Sequence, residues 1–459
     1  MQPNSSHLPK PSLTTFTDLY QLTMAQAYWR SGHTATATFS MTFRGYPKDR
    51  GYYVAAGLQD VLTYLEGLQF TQDDIGLLDG LGIFDKAFLR FLSQVRFEGD
   101  VRALAEGTIC AHDAPVIEVT APIIQGQFAE TYILNQINLQ TMLATKAARC
   151  VFAARDKYVV DFGARRIHGT DAANKFARVS YIAGFAGTSN VQAGLTYGIP
   201  LYGTMAHSFV TSFEQEVDSF RAYAKTFSNG TTLLVDTYST EQGVRNAIRV
   251  GLEMAQRGYT LRAVRLDSGD LLELSRLARR VLDEAGLRTV QVFASGGLDE
   301  FSLEGLVSAG APIDGFGVGT KVGVSADAPW TDCAYKLVEY DSRPVLKLSP
   351  GKATLPGPKQ VYRRKAEDGM FLGDTITNAS SSPAPDARPL LELVMKAGKR
   401  LRPDPSLNAV RENCRREFAA LPEPHKALRL PTPYPSQISP DLELITEEAS
   451  AEVRLREGL

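Results

Sequence analysis

Residues 262–297, RAVRLDSGDLLELSRLARRVLDEAGLRTVQVFASGG, decide the fold class of this chain. Two short apolar runs, 262–266 and 290–294, flank a segment with the apolar spacing of a helix. A strand, a helix and a strand in series predict two parallel strands with a helical crossover, because a tight turn cannot join parallel strands.

The same alternation extends over much of the chain. Further short runs stand at 158–162, 180–185, 200–203, 232–236 and 315–318, with helix-like segments between most of them. An open doubly wound sheet and a closed barrel both agree with this series. We favour an irregular parallel α/β barrel, because at least six units follow one another. Polar or glycine residues also recur just after the strands, on the face where such barrels carry their active sites.

Length and composition limit the function. A chain of 459 residues exceeds what one hydrophobic core normally supports, so two or three domains are expected. The formal net charge of −2 is too balanced to indicate nucleic acid or an anionic membrane as a partner. The four cysteines stand far apart, which favours free thiols over disulfides or a zinc site. No signal peptide and no apolar run of membrane-spanning length is seen, so we expect a cytoplasmic protein.

A histidine follows one of the short runs, in LYGTMAHS (201–208). His207 could act there as a general base, a phosphate acceptor or a neutral hydrogen-bond donor. The alternative is a structural histidine that donates to a backbone carbonyl. The neighbouring Gly203 and Thr204, and the position after a predicted strand, favour a functional role. A serine-hydrolase site at Ser208 is excluded, because adjacent residues rarely face each other and no G-x-S-x-G motif is present.

Two glycine-rich loops follow the last two predicted strands. Ser295-Gly296-Gly297 precedes a helix that we expect to begin near Asp299, and GFGVGTK (315–321) repeats the pattern one unit later. Small residues let backbone N–H groups approach an anion, and a helix N-terminus adds favourable partial charge. The alternative is a pair of tight turns. Neither loop has the spacing of the ATP- or NAD-binding fingerprints, so the pair predicts a phosphate site of another kind.

Charged residues stand at other strand ends. Arg265 could hold a carboxylate or phosphate through two N–H groups, and Asp267 could hold a metal-bound diphosphate. For Asp270, capping of the next helix is the stronger interpretation. Asp236 is a further candidate whose alternative role is to cap a turn. DFGARR (161–166) forms a second cationic cluster, unless its arginines are only a solvated surface pair.

Several long motifs resemble nicotinate phosphoribosyltransferase, over roughly residues 13–430. They are TDLYQLTMAQAYW (17–29), GTMAHSFV (203–210), VRLDSGDL (264–271), SGGLDE (295–300), GFGVGTKV (315–322) and KLVEYDSRPVLKLSPGKATLPGPKQVYR (336–363).

This resemblance implies an architecture and an activity. The fold is expected to be α/β: an irregular, type II phosphoribosyltransferase-like barrel at 126–330, and an α+β domain built from 12–125 and 331–430, followed by a tail at 431–459. The implied reaction transfers the 5-phosphoribosyl group of phosphoribosyl diphosphate to nicotinate, giving nicotinate mononucleotide and diphosphate. ATP is a co-substrate through a transient phosphohistidine, Mg²⁺ binds through the diphosphate with no protein ligand assigned, and a homodimer shares its active sites.

The resemblance also implies a role for individual residues. His207 is the phosphorylated histidine, and Asp267 is the second catalytic residue. Tyr20 borders the nicotinate ring, from the neighbouring subunit, while Thr204 and Arg265 contact nicotinate, the arginine through its carboxylate. Arg165 or Arg166 reaches a phosphate or carboxylate, with the choice between them open. The phosphate-binding residues are Ser295, Gly296, Gly297, Gly317, Gly319 and Thr320.

Ser189, in GFAGTSNVQAG (184–194), bears on the choice of base. Relatives that use nicotinamide resemble this stretch but carry an aspartate there, which would accept from an amide and repel an acid. The alternative is that Ser189 only caps the next helix. Two rival functions stay open, namely a related transferase for quinolinate or nicotinamide, and a non-catalytic barrel. The intact His207 and Arg265 loops argue against the second.

Overall fold

The computed structural model describes residues 11–349, 354–382 and 386–459, and the chain divides into two compact units. Unit 1 consists of Met1–Thr141 and Trp330–Leu459, and unit 2 of Met142–Pro329. The predicted α/β class is confirmed, because unit 2 alternates parallel strands with helices and unit 1 is an α+β unit assembled from both ends of the chain. The sequence predicted domain boundaries after residues 125, 330 and 430. In the structure, the two units divide after Thr141 and after Pro329.

Between residues 11 and 154, the structure has six α-helices and five strands, after a 3₁₀ turn at Leu13–Thr15. The helices are α1 (Leu19–Ser31), α2 (Leu58–Glu66), α3 (Gln72–Gly80), α4 (Lys86–Leu92), α5 (Ile123–Phe128) and α6 (Glu130–Ala154), and the strands are β1 (Thr36–Phe43), β2 (Tyr53–Val54), β3 (Asp100–Leu104), β4 (Ile109–Cys110) and β5 (Ile117–Pro122). Helix α6 continues across the boundary between the units.

Unit 2 alternates strands and helices. Its strands are β6 (Tyr158–Asp161), β7 (Gly187–Thr188), β8 (Thr232–Leu234), β9 (Ala263–Leu266), β10 (Gln291–Ser295) and β11 (Gly315–Val318), and its helices are α7 (Thr170–Ile182), α8 (Val191–Tyr197), α9 (His207–Thr211), α10 (Glu216–Thr226), α11 (Thr240–Ala255), α12 (Leu271–Glu284), α13 (Glu300–Ser308) and α14 (Thr320–Gly323). A 3₁₀ turn, Ala164–Arg166, follows β6.

The strands of unit 2 pair in parallel, in the order β7-β6-β11-β10-β9-β8. A single bridge between Thr188 and Leu201 adds one more extended residue beside β7. Around the sheet, β6 is followed by β7 and then by the single residue Leu201. Strands β8, β9, β10 and β11 come next, also in chain order, and β11 pairs with β6. This is the strand order of a barrel, and among the described residues no ladder pairing joins Leu201 to β8. All carboxyl ends of the paired strands therefore lie on one face.

Two of the predicted strands are wrong. Residues 180–185 end helix α7 and the turn after it, where Val179 and Ile182 are buried. A short apolar run on a buried helix has no periodicity that separates it from a buried strand. At 200–203 only Leu201 forms a bridge, flanked by bonds from Thr188 N to the Pro200 carbonyl and from Tyr202 N to the Thr188 carbonyl.

The C-terminal segment completes unit 1. Its strands are β12 (Cys333–Tyr340), β13 (Arg343–Pro344), β14 (Lys359–Lys365), β15 (Phe371–Asn378), β16 (Arg388–Pro389), β17 (Leu391–Lys396), β18 (Lys399–Arg400) and β19 (Ser436–Ile438), and its helices are α15 (Leu407–Ala420), α16 (Glu423–Lys426) and α17 (Pro440–Glu457).

Strands from both ends of the chain build one antiparallel sheet in unit 1, in the order β13-β12-β1-β5-β3-β17-β18. Its inward residues Phe39, Met41 and Val119 are fully buried or nearly so. A second sheet has the order β16-β14-β15-β19, and its parallel pair β15–β19 brings in the segment predicted as a tail. Among the described residues, no helix has both the length and the apolar character needed to cross a membrane.

A buried charge cluster joins the second sheet to α15. Arg363 on β14 donates to both carboxylate oxygens of Asp374 on β15, at 2.8 and 2.7 Å, and to Glu417 on α15 at 2.5 Å. It also donates to the carbonyl of Ile109 on β4 at 2.5 Å. Because these charges are removed from water, each depends on its partners.

Candidate active site

Arg265, the third residue of β9, ends among acceptors from several loops. Its Nε donates to Ser295 Oγ, its Nη1 to Thr204 Oγ1 and its Nη2 to Asp267 Oδ1, each at 2.8 Å. A weak bond of 3.5 Å joins Nη1 to the Met205 carbonyl. Four of the five guanidinium N–H groups thus have partners among the described residues. The site brings together three predicted motifs, GTMAH, VRLDSGD and SGG.

His207 is the first residue of helix α9 and points toward the same acidic residue. Its Nδ1 lies 3.1 Å from Thr237 Oγ1, and its Nε2 lies 3.8 Å from Asp267 Oδ2. The histidine side chain is 43% exposed, so a ligand can reach the ring. The contact with Thr237 restrains the ring in either tautomer.

Two carboxylates connect the loops after β8 and β9. Burial raises the pKa of Asp267, but the hydrogen bond from Ser295 and the positive charge of Arg265 outweigh burial, and the net shift is downward. Asp267 is therefore ionised at neutral pH. Asp236 Oδ2 accepts from Asp267 N at 2.8 Å and from Ser268 Oγ at 2.6 Å, which fixes the two loops to each other.

A cavity of about 570 Å³ opens at the carboxyl ends of these strands. The Phe162 ring forms part of its wall, and the Arg265 guanidinium lies 5.2 Å from the centre of that ring. The cavity lining combines an aromatic ring, a cation, an anion and an imidazole. The lining residues are Phe162, Ala164, Arg165, Ser189, Val191, Leu201, Tyr202, Gly203, Thr204, Met205, Ala206, His207, Leu234, Arg265 and Asp267.

The DFGARR loop contributes unequally to the cavity. Arg165 lines it, whereas Arg166 is exposed and is not part of the lining. At the start of the loop, buried Asp161 accepts from Gly163 N and from Thr188 Oγ1, both at 2.6 Å. Burial raises the pKa of Asp161 to about 6, although both hydrogen bonds lower it.

Ser189 lies on the cavity wall and does not cap the next helix. Asn190 is the N-cap of α8, and its side chain accepts from Ala193 N at 3.2 Å. The Ser189 N–H donates to the Asp161 carbonyl at 2.8 Å. The capping interpretation of Ser189 is therefore wrong, while that of Asp270 is confirmed, because Asp270 accepts from Leu272 N and Glu273 N.

The loop after β10 follows directly on the Arg265 network. Gly296 has φ +102°, and a Cβ there would lie 2.1 Å from the Asp267 carbonyl oxygen. Helix α13 begins after Asp299, as predicted, but the Asp299 carboxylate accepts from Ser302 N at 2.9 Å and pairs with Lys321 at 3.2 Å. The Asp299 carboxylate thus caps this helix, and the predicted anion site at its N-terminus stays a prediction.

The loop after β11 packs against the cavity wall. A Cβ at Gly317 would lie 2.7 Å from the Phe162 ring, and one at Gly319 would lie 3.1 Å from the Phe162 carbonyl. Thr320 follows as the first residue of α14. The absence of side chains at these glycines therefore lets the loop approach Phe162 closely.

Tyr20 belongs to unit 1, on helix α1, and its predicted contact with the base stays a prediction. Its hydroxyl accepts from Gln21 Nε2 at 3.1 Å. Burial, followed by the charge of Glu130, raises the pKa of Tyr20 to about 12, so the side chain is neutral at physiological pH.

Sequence reasoning missed three contributors. Phe162 and Asp161 stood within a quoted motif but were assigned no role. Thr237 follows the candidate Asp236, and only the path of its loop shows that it meets His207. Within the described ranges, no group of three or more His, Cys, Asp or Glu side chains is arranged to hold a metal.

Family models match most of the chain. The nicotinate phosphoribosyltransferase (NAPRTase) N-terminal domain matches residues 15–138, the NAPRTase family model matches 158–340 and the C-terminal domain matches 380–446.

Individual relatives agree with these matches. A nicotinate phosphoribosyltransferase of Mycobacterium tuberculosis is 51% identical over 414 residues, covering 90% of this chain and 88% of that protein. The enzyme of that name from Bacillus subtilis is 38% identical and covers 94% of both chains. The crystal structure of human nicotinic acid phosphoribosyltransferase superimposes with a TM-score of 0.86 at 29% identity, covering 94% of this chain and 99% of the human one. Sequence and fold together show that the chain belongs to the nicotinate phosphoribosyltransferase family.

Proposed function

We propose that this protein transfers the 5-phosphoribosyl group of phosphoribosyl diphosphate to the ring nitrogen of nicotinate, as a step of NAD salvage. The observation that carries the proposal is one cavity lined by His207, Arg265 and Asp267, in a chain whose relatives are named for this reaction. The products are nicotinate mononucleotide and diphosphate.

The base is proposed to bind against Phe162. Its ring offers a flat apolar face, and Arg265, beside that ring, supplies positive charge for the nicotinate carboxylate. Thr204 is held at the same guanidinium and borders the base. Ser189 leaves this wall without the negative charge that would repel an acid.

The sugar phosphate is proposed to bind to the two glycine-rich loops. The proposed donors are backbone N–H groups of these loops, at Ser295, Gly296, Gly297, Gly317, Gly319 and Thr320. Arg165, at the cavity wall, adds a cation for a phosphate group, and Arg166 is the less favoured of the pair.

The chemical step follows from the charges. Breaking the bond between the anomeric carbon and the diphosphate leaves positive charge on the ribose, as in glycoside cleavage. Ionised Asp267 is placed to stabilise that charge, and the pyridine lone pair needs no general base. Mg²⁺ would neutralise the departing diphosphate. The carboxylates of Asp236 and Asp267 fit such an ion as outer partners, since Asp236 Oδ1 is buried without a hydrogen-bond partner among the described residues.

ATP is proposed to act through His207. An imidazole nitrogen attacks the terminal phosphorus of ATP, ADP leaves, and water later releases phosphate from the histidine. The phosphoryl group places strong negative charge beside Asp267, 3.8 Å from the ring nitrogen, so the neighbouring loops must reorganise. His207→Ala is therefore expected to abolish stimulation by ATP while slow ATP-independent transfer remains. His168→Ala, an exposed histidine of the same unit, is the control.

A homodimer that shares active sites is the proposed assembly, with Tyr20 contributed by the neighbouring subunit. If so, Tyr20→Ala and His207→Ala subunits should complement each other when refolded together. A random mixture should recover about one quarter of wild-type coupled activity, since half the dimers are mixed and each has one intact site. No recovery in demonstrably mixed dimers would place Tyr20 elsewhere.

The direct test is to mix purified protein with phosphoribosyl diphosphate, Mg²⁺, ATP and one of three bases. Nicotinate is expected to give its mononucleotide. Product from nicotinamide or quinolinate alone would reassign the substrate, and no product from any base would favour a non-catalytic role.

A further inference from the structure

A buried hydrogen-bonded pair underlies one side of the cavity. Asp161, at the carboxyl end of β6, is fully buried, as is Thr188, the last residue of β7. Thr188 Oγ1 donates to Asp161 Oδ2 at 2.6 Å. We call these residues the Asp161–Thr188 pair. No cation contacts the carboxylate among the described partners of Asp161, so its charge is held by hydrogen bonds alone.

The pair holds two of the segments that line the cavity. Asp161 Oδ1 accepts from Gly163 N at 2.6 Å, which sets the loop that carries Phe162 and Arg165. The Asp161 carbonyl accepts from Ser189 N at 2.8 Å. Thr188 Oγ1 also accepts from Asn190 N at 2.9 Å, so the residues on both sides of the Ser189 side chain are fixed by the pair.

A third segment is held by the backbone of Thr188. Its N–H donates to the Pro200 carbonyl at 3.0 Å, and its carbonyl accepts from Tyr202 N at 2.9 Å. Tyr202 begins the stretch that leads to Thr204 and His207. Strand β7 is only two residues long, so few ladder bonds fix it. The side-chain bond to Asp161 adds to these backbone bonds and fixes the Thr188 hydroxyl, which accepts from Asn190 N.

We propose that the Asp161–Thr188 pair is a positioning element that sets the base-binding wall and so determines discrimination between a pyridine carboxylate and a pyridine carboxamide. This inference rests on the proposed function. The pair touches no substrate; it acts through Ser189 and Phe162, whose distance from the base decides how strongly a carboxylate is accepted. Loss of the hydrogen bond between Asp161 and Thr188 is expected to move Ser189 and Phe162 more than Asp267. Asp267 is held separately, by Arg265 and Asp236.

The test is Thr188→Val, which removes the hydroxyl at nearly constant volume. We measure kcat and KM for nicotinate and for nicotinamide, and the dissociation constant of each base by calorimetry. The expected result is a KM for nicotinate raised about tenfold, kcat within about threefold, and a nicotinate-to-nicotinamide ratio of kcat/KM reduced about tenfold, as expected for loss of a buried hydrogen bond. Thr188→Ser restores the hydroxyl and should restore the ratio.

Thr231→Val is the matched control. Thr231 is a fully buried threonine of unit 2 whose hydroxyl donates to the Phe227 carbonyl, away from the cavity lining. It should leave the ratio unchanged. If Thr188→Val does not fold, Thr188→Ala removes the same hydroxyl without a crowding methyl group.

The outcomes separate the two proposals. Wild-type turnover of nicotinate with an unchanged ratio in both hydroxyl-less variants overturns this inference and leaves the proposed function standing. An equal loss of kcat for both bases also overturns it, because that is the result of a general structural role. A wild-type protein that binds neither base overturns both proposals.

Discussion

Ser189 is the side chain that we propose selects between nicotinate and nicotinamide. It lines the cavity without carrying a charge, and the structure removes its alternative role as a helix cap. Ser189→Asp is expected to raise the KM for nicotinate at least about fivefold while that for nicotinamide rises less or falls, since a carboxylate near a carboxylate costs roughly 1 kcal/mol or more.

Ser189→Asn separates charge from size in that experiment. It has nearly the volume of aspartate and no charge, so steady-state kinetics with both bases should show a smaller loss for nicotinate. Equal losses in the two variants would mean that crowding, and not charge, governs this wall.

Asp161 makes a separate prediction about pH. Burial raises its pKa from 3.8 to about 6. The folded protein therefore holds this proton where the unfolded chain has lost it, and the contribution of Asp161 to stability falls as pH rises from about 4 to about 6. In Asp161→Asn this loss is absent. The free energy of unfolding of the variant relative to wild type should rise by roughly 2–3 kcal/mol between pH 4 and pH 7.

Urea unfolding across that pH range measures the difference. Glu284→Gln, on an exposed carboxylate of the same unit, is the control and should give a flat difference. A flat difference for Asp161→Asn as well would show that the carboxylate is ionised in the folded protein throughout.

At the scale of residues, the sequence predicted the groups that follow strands but not the partners that fix them. His207, Arg265 and Asp267 could be placed together because the carboxyl ends of parallel strands share one face. Thr237 and Thr188 could not, because the partner of a hydroxyl depends on the path of a loop. The sequence also predicted that Arg265 could bind a carboxylate through two N–H groups. Its hydrogen-bond partners within the protein were not predicted, because the sequence pattern does not reveal them.

At the scale of elements, Gly296 in the loop after β10 packs closely against the backbone of Asp267 and has a positive φ angle. Gly296→Ala would bring a Cβ to 2.1 Å from the Asp267 carbonyl oxygen at a φ of +102°. The loop must shift, at a cost of about 1–3 kcal/mol in stability. We expect the KM for the sugar diphosphate to rise several-fold or more, measured by steady-state kinetics.

Gly297→Ala is the matched control for this loop. Its φ is +65°, but no atom lies within 4 Å of the position that a Cβ would take, so only the backbone strain of about 1–2 kcal/mol applies. The KM should change less than in Gly296→Ala. The reverse order of effects would contradict the close packing of this loop on Asp267.

The spacing of apolar residues predicted helices and strands correctly where the helices are amphipathic and the strands are flanked by turns. Helix α12 shows both features, and β9 and β10 on either side of it were predicted within one or two residues. The run at 180–185 failed because these few residues, at the buried end of α7 and in the turn after it, are too short a window to separate a helix from a buried strand. The anion site predicted beside α13 stays a prediction, because the structure shows only that Asp299 caps this helix.

At the scale of the whole molecule, the cluster around Arg363 is expected to dominate the stability of unit 1. Arg363→Ala leaves Asp374 and Glu417 buried with less compensation, at a cost of about 3–5 kcal/mol. Arg388→Ala removes a bond to the same Glu417 from a half-exposed side chain and should cost less than about 1 kcal/mol. Thermal and urea unfolding compare the two variants, and similar costs would show that burial does not govern this cluster.

The assembly of unit 1 from both ends of the chain was the part of the architecture least visible in local patterns. Strand β1 lies between β5 and β12, and its Thr38 pairs with Glu339, 301 residues further along the chain. Periodicity predicts strands but says nothing about partners at that separation. The resemblance to a family, and not the pattern of residues, provided this expectation.

The hydrogen bonds that Arg265 already makes affect how a carboxylic acid can bind in the cavity. Its N–H groups already serve Ser295, Thr204 and Asp267, so an incoming carboxylate that takes two of them must exchange with an oxygen of the protein. If Asp267 is the oxygen displaced, one ion pair is broken for the one that forms, and the electrostatic gain on entry is small. Affinity must come chiefly from the flat aromatic wall, while the displaced aspartate becomes available to the imidazole beside it.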